Sequence, residues 1–269
     1  MNTSARTLFL SPRTTATGRA LATAAHRRGI PAHTLREWRV PAELSAAPGP
    51  SLYAGPLFAD AVAGDQGLSL ALLEADADWL ARLPLELTRR HIMFTTLAEA
   101  RGLRRPAFVK PPNDKSFPAR VYRDGSGLPG PDAVDDDAPV LVSDIVAFDV
   151  EYRLFLRDGE VLTGSRYATG GELDVAPLDA DPAREGVLDF AARLFAPGVP
   201  ALPSAVVVDV GRIGEDWAVV EANAAWASGH YACDEDAVLD VVLRAAAPAA
   251  APGLPADTRF RRPVATVVR

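Results

Sequence analysis

Asp209 in the apolar run VVVDVG, and Glu221 with Asn223 in VVEANAA, are polar residues set inside otherwise hydrophobic strands. Strand residues two apart share a face, so Glu221 and Asn223 project together. Pairing of the two strands across a turn over 211–216 brings Asp209 beside them. Two carboxylates and a carboxamide oxygen are hard donors of the kind Mg2+ takes, with waters or phosphate oxygens in its other positions. A solvated polar face of an antiparallel sheet accounts for these three residues equally well. Cations elsewhere favour the first reading. Lys110 ends the strand AFVKPP, and Lys115 and Ser116 follow in the polar loop NDKSF. A lysine point charge and a loop of backbone N–H groups suit a phosphate chain. Arg153 in EYRLFL and Arg166 in GSRY lie on two arms of a hairpin around Asp158-Gly159. Both are expected on one side of it, as planar donors for phosphate or carboxylate. Together these residues describe a nucleoside-triphosphate site, without the GxxxxGK[ST] or strand-linked GxGxxG of the P-loop and dinucleotide folds.

Composition bounds the setting. The 269 residues are 48% hydrophobic and 23% charged, enough for a sizeable core in one large or several joined subdomains. A formal charge of −7 argues against a nucleic-acid binder. No apolar run reaches the ~20 residues of a membrane span, and the first residues make a poor signal peptide. The lone Cys233 fits a reducing compartment, so a cytoplasmic protein is expected. Four scattered histidines with one cysteine make poor zinc ligands. Trp226 and Tyr231 read as packing or as a pocket wall, His230 as a loop histidine, and Asp135–Asp137 as an acidic loop.

The elements that must position these residues follow from periodicity. A strand over 7–12, a helix over 15–29 closed by Gly29, and strands over 32–38 and 51–56 give a βαβ rhythm and a small parallel sheet. Helices are expected over 58–73 and 76–102. Residues 107–125 read as a hairpin, 125–139 as a solvated connection, and 139–171 as strands turning at Asp158-Gly159. A helix over 182–197, two strands over 204–224 around Gly214, and a helix over 234–247 complete the pattern. The fold class is α/β, with units at 1–85, 86–145 and 146–247 and an extended tail over 248–269.

The order of blocks FVKP…DKSF, EYRLF and VEANAAWASGHY resembles the ATP-grasp superfamily, in particular its short ligase-like clade related to glutathione synthetase-like and ribosomal-protein glutamate ligase-like enzymes. The resemblance spans about residues 50–245. It implies two α+β subdomains clamping ATP, preceded by a small Rossmann-like subdomain. By position, Lys110 resembles the strand lysine on the ATP phosphates, and Lys115 and Ser116 fall in the loop that closes over them. Arg90, or Arg89 in its place, stands where many relatives have another phosphate-contacting lysine. Ser143, Asp144 and Val146 lie in the linker that holds adenine, and Glu151 near the ribose. Arg153 and Arg166 resemble the catalytic arginines, and Asp209, Glu221 and Asn223 the magnesium ligands. The loop PPNDKSF lacks the glycine-rich form of its counterparts. The implied activity is ATP- and Mg2+-dependent carboxylate–amine ligation on a small amino-acid or peptide-like substrate through an acylphosphate. A small-molecule kinase of the same fold and a non-catalytic nucleotide-binding module are the alternatives. The partners implied are a carboxylate substrate and an amine, with no nucleic acid and no membrane; a homodimer is left open.

Overall fold

The alternation at the N-terminus folds as its pattern predicts. The computed structural model describes residues 5–64, 67–251 and 255–263. Strand β1 (Thr7–Leu10) is joined by helix α1 (Ala16–Arg27) to β2 (Ala32–Thr34), and β3 (Pro50–Tyr53) follows. The sheet order is β2-β1-β3, all parallel. Thr15 caps α1 by accepting from the Gly18 N–H at 2.9 Å, satisfying one of the donors a helix start leaves open. β2 stops four residues before the expected Trp38. Helix α2 (Pro56–Val62) starts on a proline, which suits a first turn, and β4 (Leu70–Leu72) replaces the expected end of that helix.

The long helix expected over 76–102 is instead α3 (Trp79–Arg82), α4 (Leu85–Thr88), strand β5 (Ile92–Thr96) and α5 (Leu97–Ala100). Pro84 holds the preceding residue extended and separates the first two. Arg89, at φ 53°, ends α4 in the left-handed region. The β-branched and aromatic run IMFTT then pairs as an edge strand, overriding the helical period. β5 joins β6 (Ala107–Lys110), β7 (Arg120–Tyr122) and β8 (Pro139–Ser143) in an antiparallel sheet of order β5-β8-β6-β7. One face packs Val109, Val140 and Val142 against Leu97 and Ala100 of α5. The other carries Phe94, Phe108, Lys110, Leu141 and Ser143, as the register requires.

The central sheet comprises β9 (Val150–Arg157), β10 (Glu160–Thr169), β11 (Glu172–Pro177), β12 (Ala205–Ile213) and β13 (Asp216–Asn223), in the order β11-β10-β9-β12-β13. Asp158 and Gly159 both have positive φ, 51° and 87°, the demand of a two-residue primed turn that Asp-Gly meets. β11 is an edge strand absent from the expected pattern. One face of this sheet (Tyr152, Leu154, Leu156, Val206, Val208, Val219) is closed by α3, α4 and helix α6 (Arg184–Arg193). The opposite face is divided. Phe155, Ala205 and Val207, at one end, lie under helix α7 (Glu235–Ala245) and share its core with the N-terminal sheet. The other end of that face is polar and faces the β5–β8 sheet.

The segment from Pro248, expected to be an extended tail, folds back instead. β14 (Ala246–Pro248) pairs antiparallel with β4, and Arg261 bridges Leu73. A short 3-10 helix covers 255–260 and buries Phe260. Arg262 holds Asp60 with two hydrogen bonds, of 2.7 and 3.0 Å, and reaches Glu74 at 3.1 Å. No described helix is long and apolar enough to cross a membrane.

Candidate active site

The polar end of the central sheet gathers most of the residues singled out for chemistry. Antiparallel register sets Arg153 of β9 opposite Asp209 of β12, and Asp209 opposite Glu221 of β13, so all three share a face. Arg153 grips Asp209 through two bonds, Nε to Oδ1 at 2.8 Å and Nη2 to Oδ2 at 2.6 Å. Asn223 Nδ2 donates to Asp209 Oδ2 at 3.2 Å and Glu221 Oε1 at 2.9 Å. From the facing sheet, Lys110 Nζ donates to Glu221 Oε2. Among the described residues, this ion pair joins the two sheets, with Asn113, Leu141 and Trp79 beside it.

The pairing of β12 with β13 contains a bulge. Val210 stands opposite Val219 but Asp209 opposite Glu221, leaving Val220 as the extra residue. Such an insertion reverses which face every later side chain takes. Without it, Val220 would oppose Asp209, and Glu221 and Asn223 would point to the other face. Arg90 closes on this irregularity. Its Nη1 donates to Val219 O at 2.7 Å and Thr88 O at 3.0 Å, and its Nη2 to Val220 O at 2.9 Å, with Phe148 stacked 5.4 Å from the guanidinium. Expected on phosphate, Arg90 is committed to carbonyls and secures the strand that carries Glu221. Burial pushes it down to about 10, against the opposing pull of Glu221 and Glu151. Arg89 pairs with Asp216 at 3.0 Å, away from this cluster.

Burial and pairing act differently on the two carboxylates. Asp209 is fully enclosed, and burial pushes it up to about 6 despite Arg153. Burial acts on Glu221 too, but Lys110 and Asn223 outweigh it and hold the group below the usual carboxylate range. Two adjacent carboxylates with an amide, balanced by a lysine and an arginine, form the donor set that suits Mg2+. The oxygen-only donors fit that ion and suit softer metals poorly.

Arg166 does not join Arg153. A second bulge, at Leu162 between β9 and β10, sets Ser165 opposite Arg153 and Arg166 opposite Tyr152. Arg166 therefore lies on the α6 face, where Nη1 donates to Asp181 at 2.7 Å and Nε approaches Asp174 at 3.1 Å. Tyr152 donates to the same Asp181 at 3.0 Å. The expectation of two arginines on one side fails because a single inserted residue reverses the face.

The remaining expected residues surround the cluster at different depths. Lys115 and Ser116 are exposed at the tip of the 111–117 loop, whose base is fixed by Asn113 Nδ2 on Ala75 O at 3.0 Å and by buried Phe117. Ser116 N–H donates to Asp114 Oδ1 at 2.8 Å; neither residue touches the carboxylates. Ser143 ends β8, with Oγ on Asp144 O at 3.1 Å. Asp144 accepts from His91 N–H at 3.0 Å, and Val146 is half-buried. Among the described residues, no backbone hydrogen bond engages 145–148, so the linker between the sheets has free donors and acceptors beside exposed Phe94. Glu151 shares the face of Arg153 and accepts from Tyr167 OH at 2.6 Å.

Several contributors were hidden from the sequence. Tyr167 stacks on Tyr231 at 5.1 Å, and Arg153 lies 5.8 and 5.2 Å from their rings. The bulge at Leu162, which sets Ser165 opposite Arg153, also puts Tyr167, two residues on, on that face, and sequence carries no sign of it. Tyr231 holds φ 51°, a strained conformation for an aromatic residue. His230, expected as a solvated loop residue, meets Thr17 Oγ1 through Nδ1 at 2.9 Å. Trp226 is core, donating to Leu73 O at 2.9 Å. Burial pushes the Cys233 thiol up to about 12, which removes it as a nucleophile.

The fold is similar to known structures. The ATP-grasp ligase PsnB complexed with minimal precursor superposes with a TM-score of 0.50 at 15% identity, covering 90% of this chain and 99% of that one. A RimK domain ATP-grasp protein from Sphaerobacter thermophilus DSM 20745 gives 0.48 at 17% identity, over 89% of this chain and 100% of that one. D-alanine–D-alanine ligase from Bacillus anthracis complexed with ATP gives 0.46 at 13% identity, over 90% and 97%. No curated protein matches. The ATP-grasp domain of the R-2-K clade, family 2, matches residues 87–241, more than half of the chain, and the chain belongs to that family.

Proposed function

We propose that the protein is an ADP-forming carboxylate–amine ligase acting on a small amino-acid or peptide-like substrate. The observation that carries this reading is the cluster of Asp209, Glu221 and Asn223 joined across the cleft by Lys110. ATP would lie between the sheets, its adenine against the free backbone of 145–148 and the Phe94–Phe108 face, with Glu151 toward the ribose. Ser143, Asp144 and Val146 border the adenine, while Lys115 and Ser116 sit on the loop facing the phosphates. Asp209, Glu221 and Asn223 would hold Mg2+, which supplies charge neutralisation on the phosphates. Lys110 would leave Glu221 for a phosphate oxygen, and Arg153 would keep Asp209 ionised and face the transferred group.

In the reaction, a substrate carboxylate oxygen attacks the γ-phosphorus and ADP leaves. An amine nitrogen then attacks the acyl carbon, inorganic phosphate leaves with its electron pair, and the amine proton passes to solvent. The protein's part is positioning and electrostatic stabilisation. Glu221→Gln should reduce ADP release against pooled amino acids and peptides by on the order of 10²–10³-fold, with an unchanged circular-dichroism spectrum. Unchanged turnover in that variant would sink the assignment. Mass spectrometry of the products distinguishes an amide from the phosphorylated product of a kinase.

A further inference from the structure

A second cavity lies outside this cluster, at the carboxyl ends of β1 and β3 and against the first turns of α1. Its volume is about 90 Å³, and Ser11, Arg13, Arg19, Thr34 and Tyr53 help to line it. The chain leaves β1 toward β2 on one side while β3 lies on the other, so the cavity occupies the switch point where open parallel sheets bind ligands. No acidic residue lines it. Among the described residues, neither the Arg13 nor the Arg19 guanidinium has an ion pair or hydrogen bond. Most arginines of the described chain are paired with carboxylates or carbonyls, whereas Arg13 and Arg19, both exposed, have no such partner and line the same cavity.

The cavity abuts the segment that leaves the magnesium-ligand strand. Tyr53, from its wall, donates through its hydroxyl to Ser228 O at 3.2 Å. Thr17, one residue before the lining Gly18, bonds His230. Arg153 Nη1 in turn donates to Gly229 O at 3.3 Å. One layer, formed by 228–230, therefore separates the cavity from Arg153.

We propose that this cavity binds a carboxylate of the substrate other than the one that reacts, through Arg13 and Arg19, with the Ser11 and Thr34 hydroxyls as neutral donors. The substrate is then an acid with a second carboxylate, anchored in the N-terminal unit while its reacting end passes around the 228–230 layer toward Arg153. Guanidinium forks match planar carboxylates through paired hydrogen bonds, and the volume admits a carboxylate head group. This inference rests on the ligase reading for the identity of the reacting end.

The test titrates succinate, L-glutamate, inorganic phosphate and the neutral succinamide into the isotopically labelled full chain, following backbone amide shifts. Concentrations reach about 20 mM, above the millimolar affinity expected of so small a ligand. Succinate or glutamate should move the amides of Ser11, Thr15 and Thr34, and succinamide should not. The Arg13→Ala/Arg19→Ala double variant should weaken that binding roughly tenfold or more, while Mg·ATP still raises its melting temperature as in the parent. Single Arg13→Gln and Arg19→Gln variants serve if the double variant fails to fold. Silence with both carboxylates, equal response to succinamide, or response to phosphate alone overturns the proposal. Loss of Mg·ATP binding by the parent would instead overturn the ligase reading, whatever the cavity does.

Discussion

The hairpins β9–β10 and β12–β13 have the same plan. Each turns through two residues with a glycine in the left-handed region, and the paired strands are interrupted by one-residue bulges, at Leu162 and Tyr167 in the first and at Val220 in the second. Their consequences are opposite. The extra Val220 turns Glu221 and Asn223 onto the face of Asp209, whereas the extra Leu162 turns Arg166 away from Arg153. The β9–β10 hairpin supplies the arginine of two arginine–aspartate pairs, on opposite faces of one sheet, and β12–β13 supplies the aspartate of the first. Arg153–Asp209 has Glu221, Asn223 and Lys110 for neighbours and faces a cleft. Arg166–Asp181 has Tyr152 and the half-exposed Asp174 on the opposite face, away from the cleft. A buried ion pair is thus no mark of a site by itself; the neighbours that a register places beside it decide its use.

The largest effect should separate the two pairs. Asp209→Ala leaves Arg153 buried without its carboxylate and should cost about 3–5 kcal/mol in urea unfolding, with loss of any Mg·ATP-dependent rise in melting temperature. Asp181→Ala should cost less, on the order of 1–3 kcal/mol, since Arg166 keeps Asp174, and its Mg·ATP response should persist. Loss of that response in the Asp181 variant would break the distinction between the faces.

Arg90 offers a finer test, because its role runs through the bulge at Val220. Arg90→Gln should weaken Mg2+ binding by about 10–100-fold, the usual scale for a group that orients metal ligands. Arg90→Lys should restore little, since a point charge cannot span the carbonyls of Val219 and Val220 as a planar fork does. If both variants bind Mg2+ as the parent does, the bulge holds without the clamp. The smallest effect is one of pH. Asp209 ionises near pH 6 when folded, above its ordinary value of 3.8. Its buried charge therefore weakens the metal-free fold above pH 6, and that penalty relaxes as the pH falls toward 3.8. Affinity for Mg2+ runs the other way and should fall about tenfold per pH unit below 6, measured by calorimetric titration.

The parts of this arrangement legible in the sequence were those governed by short periods. Glu221 and Asn223 share a face because two is the period of a strand, and Asp158-Gly159 announced its turn because few other residues tolerate positive φ. Lys110 could be read as a strand end from the run AFVKPP, while its specific place on the ATP phosphates came only through the resemblance of blocks. What stayed hidden depends on contacts far along the chain. The IMFTT segment was lost inside a helical pattern until β8 offered it a partner. The position of Arg166 turned on one bulged residue, and Arg90 looked like a phosphate cation because nothing local reveals that Val219 and Val220 leave carbonyls to satisfy. Thr17 and His230 lie too far apart in the chain for either to announce the other.

The packing of late elements against early ones bears on how the molecule is made. β14 completes a ladder with β4, and α7 fills the core beneath the N-terminal sheet. Strands β1–β3 thus face solvent on their apolar side until residues 238–247, which follow them in the chain, are synthesised. Long-range closure of this kind slows folding and prolongs exposure of sticky surface. The three-stranded sheet should consequently be the last part to gain protection from hydrogen exchange during refolding, although it precedes the other sheets in the chain.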